Sequence, residues 1–461
     1  MDLAASSRIA LDAVQRWQSR WPGFSTHPSL RIDQSSMEAV LAELAERLQD
    51  NYPFFHPDYA GQMLKPPSPA AVAGYLMAML INPNNHALDG GPATAAMEKE
   101  VVGAIAAMFH LPDETLGHLT SSGTIANLEA LFVARELAPG AAVAYSEDSH
   151  YTHERMCHLL GVRAIRIAVD ERGRIDLDAL ETALRTEQVG TVVVTAGTTS
   201  LGAVDRIDEA LRLCRKYGVR IHVDAAYGGF FAIPAWSNSA DVPAASLRAI
   251  AECDSVVVDP HKHGLQPYGC GCILFRDPAV GRFYRHDSPY TYFTSGALHL
   301  GEISLECSRA GAAAAALWTT LRLFPLTDAG LGAVLAAGRR AARRWAELLE
   351  ASPVLDLYQQ PELDIVTFFV AAEGGSMSAI DATSERLFDA AMTAPDPIYL
   401  AVARVAADSL RRRHRLRADT TAPVRILRSV LMKPEHELAV EGIHRRLEQI
   451  AGSREAGSDQ D

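Results

Sequence analysis

The chain of 461 residues has few of the features of a membrane protein or a nucleic-acid-binding protein. No apolar run approaches the ~20 residues needed to span a bilayer, and the polar, mixed first residues predict no signal peptide. Basic residues are in deficit, since 43 Lys and Arg stand against 56 Asp and Glu and give a net charge of −13. We therefore expect neither a membrane nor a nucleic-acid partner, and we interpret the short basic run at 411–417 as a solvated helix face.

Cysteine is also scarce, with six residues in the whole chain. Their spacing matches no zinc motif, because Cys270 and Cys272 are too close for the usual two-residue gap. We therefore expect no metal site. We interpret the six cysteines as buried free thiols of a protein in the reducing cytoplasm.

The hydrophobic content of 48% is enough for a large core in more than one structural unit. Residues 1–85 are predicted to be a helical segment that packs across a second subunit, with one helix over 37–48. Residues 86–325 alternate β-branched runs with helical stretches, which predicts an α/β domain with a mostly parallel sheet. Residues 326–451 are predicted to form a smaller α+β domain, and residues 452–461 a disordered tail. Strands are predicted at 141–145, 164–169, 191–195, 219–223, 255–258, 272–275, 365–370 and 424–431, and helices at 176–184, 207–217 and 330–350.

A lysine and an aspartate each follow a strand-like run. Lys262 comes just after the run 255–259, and Asp224 ends the run that begins at 219. Desolvation at a strand end disfavours the ammonium form, so that such a lysine can act as a nucleophile towards an aldehyde. A lysine and an acid so placed are expected in a pyridoxal phosphate (PLP) enzyme, where the acid keeps the pyridine nitrogen protonated. The alternative is a solvated lysine and an aspartate at the edge of the core.

Two further segments could bind the phosphate and the ring of such a cofactor. Gly123 and Thr124 open a helical stretch, where backbone N–H groups and the helix dipole favour an anion. An ordinary helix cap is the alternative. His150 follows a strand, and its imidazole could stack on the pyridine ring or move protons, although single histidines are more often structural.

Two small side chains complete the predicted ring site. Thr198, in the segment 195–199 after another strand, could reach a ring substituent through its hydroxyl. Ala226 lies two positions after Asp224, so it could contact the ring face opposite His150.

Together these segments resemble the group II PLP-dependent decarboxylases, which include aromatic amino acid, glutamate and archaeal tyrosine/aspartate decarboxylases. The resemblance runs from about residue 50 to 320, and its most specific parts are His-Val-Asp-Ala-Ala-Tyr-Gly-Gly at 222–229 and Asp-Pro-His-Lys at 259–262. It implies PLP fold type I, with a central, mostly parallel seven-stranded sheet and a small α+β C-terminal domain. It also implies PLP as cofactor, an amino acid substrate, and a homodimer with shared active sites.

The resemblance also implies roles for individual residues. Lys262 would be the Schiff-base lysine, Asp224 the partner of the pyridinium nitrogen, His150 the stacking residue, Gly123 and Thr124 phosphate contacts, His261 a neighbour of the phosphate or the lysine, and Arg428 the arginine that receives a substrate carboxylate. An arginine inside an apolar run also needs an anionic partner on general grounds if it is buried.

Two departures from the family limit these inferences. Many members have an aromatic residue after the His-Lys pair, whereas this chain has His263, which is closer to the archaeal branch. In the family, a mobile-loop tyrosine protonates the carbanion after CO₂ leaves. Tyr290 and Tyr292 are both candidates here, with Tyr290 preferred.

The predicted function is PLP-dependent decarboxylation of an L-amino acid to the corresponding amine and CO₂. The alternatives are oxidative decarboxylation-deamination to an aldehyde, aminotransfer, carbon–carbon lysis, or PLP binding without catalysis. Acidic and aromatic substrates both remain open, because Arg428 could bind an α- or a side-chain carboxylate. Tyr59, His86 or Trp318 could line an aromatic pocket.

Overall fold

The computed structural model describes residues 2–285, 299–371, 375–414 and 416–452. The strands of this part are β1 Leu116–Thr120, β2 Ala142–Ser146, β3 Ala164–Ile167, β4 Val189–Thr195, β5 Arg220–Asp224, β6 Ser255–Val258, β7 Gly271–Phe275, β8 Leu355–Gln359, β9 Ile365–Val370, β10 Ala401–Val405 and β11 Val424–Val430. The α-helices are α1 Leu3–Gln18, α2 Gln34–Leu48, α3 Pro69–Met79, α4 Pro92–Met108, α5 Gly123–Leu137, α6 Thr152–Leu160, α7 Leu177–Thr186, α8 Ile207–Tyr217, α9 Ala232–Ser237, α10 Ala244–Ala249, α11 Gly311–Leu323, α12 Ala333–Ala351, α13 Met377–Thr393, α14 Ala407–Arg413 and α15 His436–Gly452.

A seven-stranded sheet forms the centre of the molecule, in the order β1-β7-β6-β5-β4-β2-β3. The strands β6, β5, β4, β2 and β3 are parallel neighbours, and β7 is antiparallel to both β1 and β6. Its central strands are buried along their length, as in Val192–Val194 of β4, because helices cover both faces. The predicted mostly parallel, seven-stranded sheet is confirmed.

A second, smaller sheet lies in the C-terminal part, in the order β10-β11-β9-β8, with antiparallel pairs throughout. Helices α12 and α13 pack against it, and α15 packs on these two helices. The buried Trp345 of α12 contacts Phe368 of β9. This arrangement confirms the predicted small α+β unit. The strands β8 and β10 and the helix α13 were not predicted.

The N-terminal segment contacts both parts of its own chain. Helix α3 packs against α1 and against α11. Further along, the N–H of Ala60 donates to Tyr399 and the N–H of Val430 donates to Ala60, so this segment joins the edge of the small sheet. Helix α2, by contrast, has no buried residue.

All six cysteines are unpaired; five are buried, whereas Cys307 is exposed. The expectation that all six are buried is therefore wrong for Cys307. Within the described chain, no single helix is long and apolar enough to cross a membrane. One bent pair, α11 with Asp328–Ala351, could do so by length and composition only.

Candidate active site

One cavity lies at the carboxyl ends of the sheet strands, and we call it the strand-end cavity. Open α/β sheets bind their ligands at this edge, because loops from neighbouring strands meet there. The cavity has a volume of about 230 Å³. Its lining residues follow β1, β2, β4, β5 and β6, and they are Ser122, Gly123, Thr124, Asn127, His150, Tyr151, Thr152, Thr195, Gly197, Thr199, Asp224, Ala226, Tyr227, Asp259, His261 and Lys262.

Lys262 follows β6 and forms an ion pair at the cavity wall. Its Nζ lies 3.1 Å from Oδ2 of Asp259, and its side chain is 20% exposed against 4% for Asp259. The backbone N–H of Lys262 also donates to the carbonyl of Asp259, which closes a tight turn. Asp259 was not predicted as a partner of the lysine, although both belong to the Asp-Pro-His-Lys motif.

Asp224 ends β5 with its carboxylate buried beside the cavity. Oδ2 lies 2.9 Å from Nε2 of His153, and Oδ1 accepts a hydrogen bond from the N–H of Ala226. Burial alone would raise the pKa of Asp224. The hydrogen bond from His153, the charge of Lys262 and the Ala226 N–H outweigh it and hold the pKa well below its usual range. The carboxylate is therefore ionised, as a partner of a protonated ring nitrogen must be.

His150 lines the same cavity in a defined tautomer. Its Nδ1 accepts the backbone N–H of Thr152 and lies 2.7 Å from the hydroxyl of that residue. The ring proton is consequently on Nε2. Burial lowers the pKa of His150 against the opposing charge of Asp224, so the imidazole is neutral near pH 7.

The start of α5 forms another part of the cavity wall. Gly123 and Thr124 form its first residues, and the Ser122 hydroxyl caps the helix by accepting the N–H of Ile125. A Cβ on Gly123 would lie only 2.5 and 2.7 Å from the carboxylate oxygens of Asp259, so this position requires glycine. His261 also lines the cavity, and its buried Nδ1 has no hydrogen-bond partner in the described chain.

Thr198 does not line the cavity. Its Oγ1 accepts the N–H of Ala203, and its carbonyl accepts the N–H of Gly202, so the side chain stabilises its own loop. The neighbouring Thr199 and the strand-end Thr195 line the cavity instead. The segment 195–199 therefore contributes to the cavity, and a cofactor contact of Thr198 stays a prediction. Ala226 lines the cavity as expected.

Arg428 lies on β11 of the small sheet, close to but not lining the strand-end cavity. It is 5% exposed, and its Nε and Nη2 have no hydrogen-bond partner among the described residues. Burial lowers the pKa of Arg428, while interaction with Tyr227 and Tyr59 opposes that shift. Tyr227 lines the cavity, so a buried cation that has no paired anion in the described part of the chain lies within electrostatic reach of the cavity wall.

A polar network joins the lysine loop to the small sheet. The Tyr227 hydroxyl donates to Oδ1 of Asp364, the residue before β9. His263 donates from Nδ1 to the Tyr227 carbonyl, and its Nε2 lies 2.8 Å from Oδ2 of Asp364. The histidine that replaces the family's aromatic residue thus contacts a buried carboxylate of the small sheet.

Two predicted residues, Tyr290 and Tyr292, fall outside the described residues. Three others lie away from the cavity lining. Trp318 donates its indole N–H to Glu100, and neither it nor His86 or Tyr59 is among the residues that line the cavity. Tyr59 instead packs in an aromatic cluster with Tyr52, Phe54 and Tyr399.

These residues fit pyridoxal phosphate. Lys262 offers an amine to an aldehyde, and ionised Asp224 offers an acceptor to a protonated ring nitrogen. The N-terminus of α5 suits an anion, and a phosphate oxygen would supply the partner that His261 Nδ1 lacks. The fold and the cavity define a PLP-dependent enzyme of fold type I.

Comparison with known proteins identifies the family. Residues 25–371 match the pyridoxal-dependent decarboxylase conserved domain, and the chain belongs to this family. It is 30% identical to the L-tyrosine decarboxylase of Enterococcus faecium, over 81% of this chain and 78% of that protein. It is also 30% identical to the L-aspartate decarboxylase of Thermococcus kodakarensis, over 72% of this chain and 85% of that protein.

The solved structures agree with the fold. The crystal structure of Oryza sativa TDC with PLP and tryptamine superposes with a TM-score of 0.78 at 18% identity, covering 97% of this chain and 98% of that one. The predicted resemblance, fold type and cofactor are thus confirmed, and the protein is a PLP-dependent amino acid decarboxylase.

Proposed function

We propose that the protein converts an acidic or aromatic L-amino acid to its amine and CO₂ in the strand-end cavity. The observation that supports this most directly is the meeting of Lys262, ionised Asp224 and neutral His150 in one cavity. The buried Arg428 lies near this cavity, and its Nε and Nη2 have no partner among the residues that the structure describes. The names of the tyrosine and aspartate decarboxylases to which the chain is similar support the same two substrate classes.

The bound cofactor supplies an aldehyde that condenses with amines and a ring that withdraws electrons from the substrate Cα. Lys262 would hold the aldehyde of the cofactor, and Asp259, 3.1 Å from its Nζ, is positioned to accept a proton from the lysine. Asp224 would keep the ring nitrogen protonated. His150 and Ala226, which line the same cavity, would hold the ring in place and so orient the substrate carboxylate.

Two groups are candidates for returning a proton to Cα after CO₂ leaves. His150 carries its proton on Nε2 and can donate it without first being charged. Tyr290 or Tyr292 is the other candidate. Arg428 would receive a substrate carboxylate through a charge-assisted contact, since its guanidinium is buried within electrostatic reach of Tyr227 and lacks an anionic partner among the described residues.

A product assay tests this proposal. Protein loaded with PLP is incubated with a panel of L-amino acids, and CO₂, amine and hydrogen peroxide are followed together. Equal amounts of amine and CO₂ from one substrate are expected. Peroxide with an aldehyde would instead establish the oxidative reaction, and no CO₂ from any substrate would contradict decarboxylation.

Two lysine variants provide the controls for that assay. Lys262→Ala should lose turnover together with the visible absorbance of the bound cofactor. Lys216→Ala, which removes an exposed lysine paired with Glu181, should retain both. Visible absorbance that survives in Lys262→Ala after dialysis would place the attachment on another residue.

The protein is further proposed to act as a homodimer in the cytoplasm. Helix α2 has no buried residue although it carries a stripe of apolar side chains, which a second copy would cover. Six unpaired thiols support a reducing compartment.

A further inference from the structure

A second histidine, three positions after His150, contacts the carboxylate that faces the ring nitrogen. His153 lies in the first turn of α6, is fully buried, and places its Nε2 2.9 Å from Oδ2 of Asp224. The other carboxylate oxygen of Asp224 accepts the N–H of Ala226 at 3.2 Å. Each oxygen of Asp224 is therefore held by one protein donor.

The protonation of His153 follows from its contacts. An ionised carboxylate can only accept, so Nε2 must carry a proton. Nδ1 is buried and has no hydrogen-bond partner among the described residues, so a second proton there would find no acceptor. The nearest ring is that of Tyr145, at 5.9 Å between centroids. The contact is thus an N–H donor held against a desolvated carboxylate.

We propose that His153 is a positioning residue that aims the Asp224 carboxylate at the cofactor's ring nitrogen and keeps it ionised. This inference rests on the proposed function, because it assigns Asp224 to that nitrogen. Without the donor, one buried oxygen of Asp224 would lose its partner, and a proton would favour the carboxylate over the ring nitrogen. A less positive ring would withdraw fewer electrons from the substrate Cα.

The alternative is that His153 only fills space between α6 and the sheet. A leucine of similar volume would then replace it without effect on the cofactor. The two accounts differ in the electronic state of the ring, which absorbance reports without any turnover. The other titratable groups near Asp224 are His150, Lys262 and His222, and they are the same in wild type and variants.

The experiment compares His153→Leu, His153→Gln and the control His158→Leu, which alters an exposed residue of the same helix. Each holoenzyme is titrated with acid and base while its visible absorbance is followed, and kcat and KM are measured at one pH. In His153→Leu, the midpoint of the absorbance change should move to higher pH, because a less positive ring leaves the nitrogen of Lys262 more basic. The kcat should fall about 10- to 100-fold, as for loss of one hydrogen bond to a charged group, with a smaller change in KM.

The glutamine variant separates positioning from packing. Its amide N–H can replace the lost donor, so His153→Gln should recover most of the absorbance midpoint and of kcat. His158→Leu should match wild type in both. A His153→Leu enzyme with the wild-type midpoint and kcat would overturn the proposal.

A measurement on the wild-type protein does not depend on any variant folding. Nitrogen NMR of the imidazole of His153 in the holoenzyme at neutral pH should show a proton on Nε2, the nitrogen that faces Asp224. A ring with Nε2 unprotonated would refute the contact as the donor to Asp224. Both spectroscopic readouts are independent of the product assay, so failure to decarboxylate would contradict the proposed function and leave the role of His153 separately testable.

Discussion

The buried guanidinium of Arg428 is an energetic cost that the described protein does not offset. Its Nε and Nη2 lack partners, although a buried cation without a counter-ion is strongly disfavoured. Residues kept at such a cost are often functional, because a ligand supplies the missing partner. At this position the ligand would be an anion that enters beside Tyr227.

We predict that Arg428→Gln raises KM about 10- to 100-fold, the loss expected when a charged hydrogen bond of ~1.5–3 kcal/mol is removed. The thermal stability of the protein without substrate should not fall, since the variant removes a charge that has no partner. Steady-state kinetics and thermal unfolding measure the two effects. The control Arg404→Gln, an exposed arginine of the neighbouring strand, should change neither. An unchanged KM in Arg428→Gln would remove Arg428 from the substrate site.

At the residue scale, the apolar strand-like runs in the sequence predicted part of the site. Lys262 and Asp224 each follow an apolar run, so their convergence at one sheet edge follows from parallel topology. His153 and Asp259 were not identified as their contacts. His153 meets Asp224 across 71 positions, and that contact depends on how α6 packs on the sheet. The sequence around His153 and the sequence around Asp224 do not, taken separately, predict this packing.

At the scale of elements, the start of α5 leaves no room for a side chain at Gly123, because the Asp259 carboxylate occupies that space. The carboxylate of Asp259, which follows β6, lies against the first residue of α5, so Gly123 cannot carry a Cβ without moving one of them. The same carboxylate holds Lys262. A change at the helix start is therefore transmitted to the lysine loop.

Gly123→Ala should displace Asp259 and weaken cofactor binding, because the new methyl group would lie about 2.5 Å from a carboxylate oxygen. We expect the dissociation constant of PLP to rise about 5- to 150-fold, as expected for ~1–3 kcal/mol of overpacking. Equilibrium dialysis of the cofactor measures it. The matched control is Gly103→Ala in α4, where a Cβ would meet nothing within 4 Å. Equal PLP affinities in the two variants would show that the helix start tolerates the methyl group.

Strands and helices with a clear apolar pattern were predicted, whereas the edge strand β1 was missed. The strand β6 and the helix α8 were predicted with their observed bounds. The strand β1 was missed because its sequence, Leu-Gly-His-Leu-Thr, has neither a β-branched run nor clear alternation. Its antiparallel pairing with β7 is a tertiary effect that overrides weak local propensity.

At the scale of the whole molecule, two lysines are buried where the N-terminal segment meets the small sheet. Lys65 donates to the carbonyl of Met432, and Lys433 donates to the carbonyl of Tyr59. Burial lowers the pKa of Lys65 to about 8, against the charges of Asp364 and Glu435. Burial likewise lowers the pKa of Lys433 to about 8, with Lys65 adding to that shift and Glu435 opposing it.

These shifts predict how stability depends on pH. In the unfolded chain a lysine keeps a pKa near 10.4, so between about pH 8 and pH 10 the unfolded state binds more protons. The free energy of unfolding should therefore rise with pH in this window. This gain in stability should disappear again as the pH falls towards 8. Each lysine contributes at most about 1.4 kcal/mol per pH unit.

Lys65→Met should make that rise shallower, and urea unfolding at several pH values measures it. Lys216→Met, which alters an exposed lysine, is the control and should retain the wild-type slope. A slope for Lys65→Met equal to that of wild type would show that Lys65 keeps an ordinary pKa in the folded protein.

The apolar face of α2 is not covered by any part of the described chain. Its members recur at helical spacing and are each 40–60% exposed: Met37, Val40, Leu41, Leu44 and Leu48. A 15-residue helix is marginal in water without tertiary packing, so this helix needs a surface to cover it. A second copy of the chain is the partner that the proposed homodimer supplies.

We predict a dimer in solution and its loss in the double variant Val40→Glu, Leu44→Glu, because two charges would then be buried in the contact. The control places the same two charges on the opposite side of the helix, as Ala39→Glu, Ala42→Glu, and should remain a dimer. Light scattering after gel filtration measures the mass of each. If active sites are shared, the monomeric variant also loses decarboxylation, whereas a double variant of unchanged mass would mean that α2 does not lie in the dimer contact.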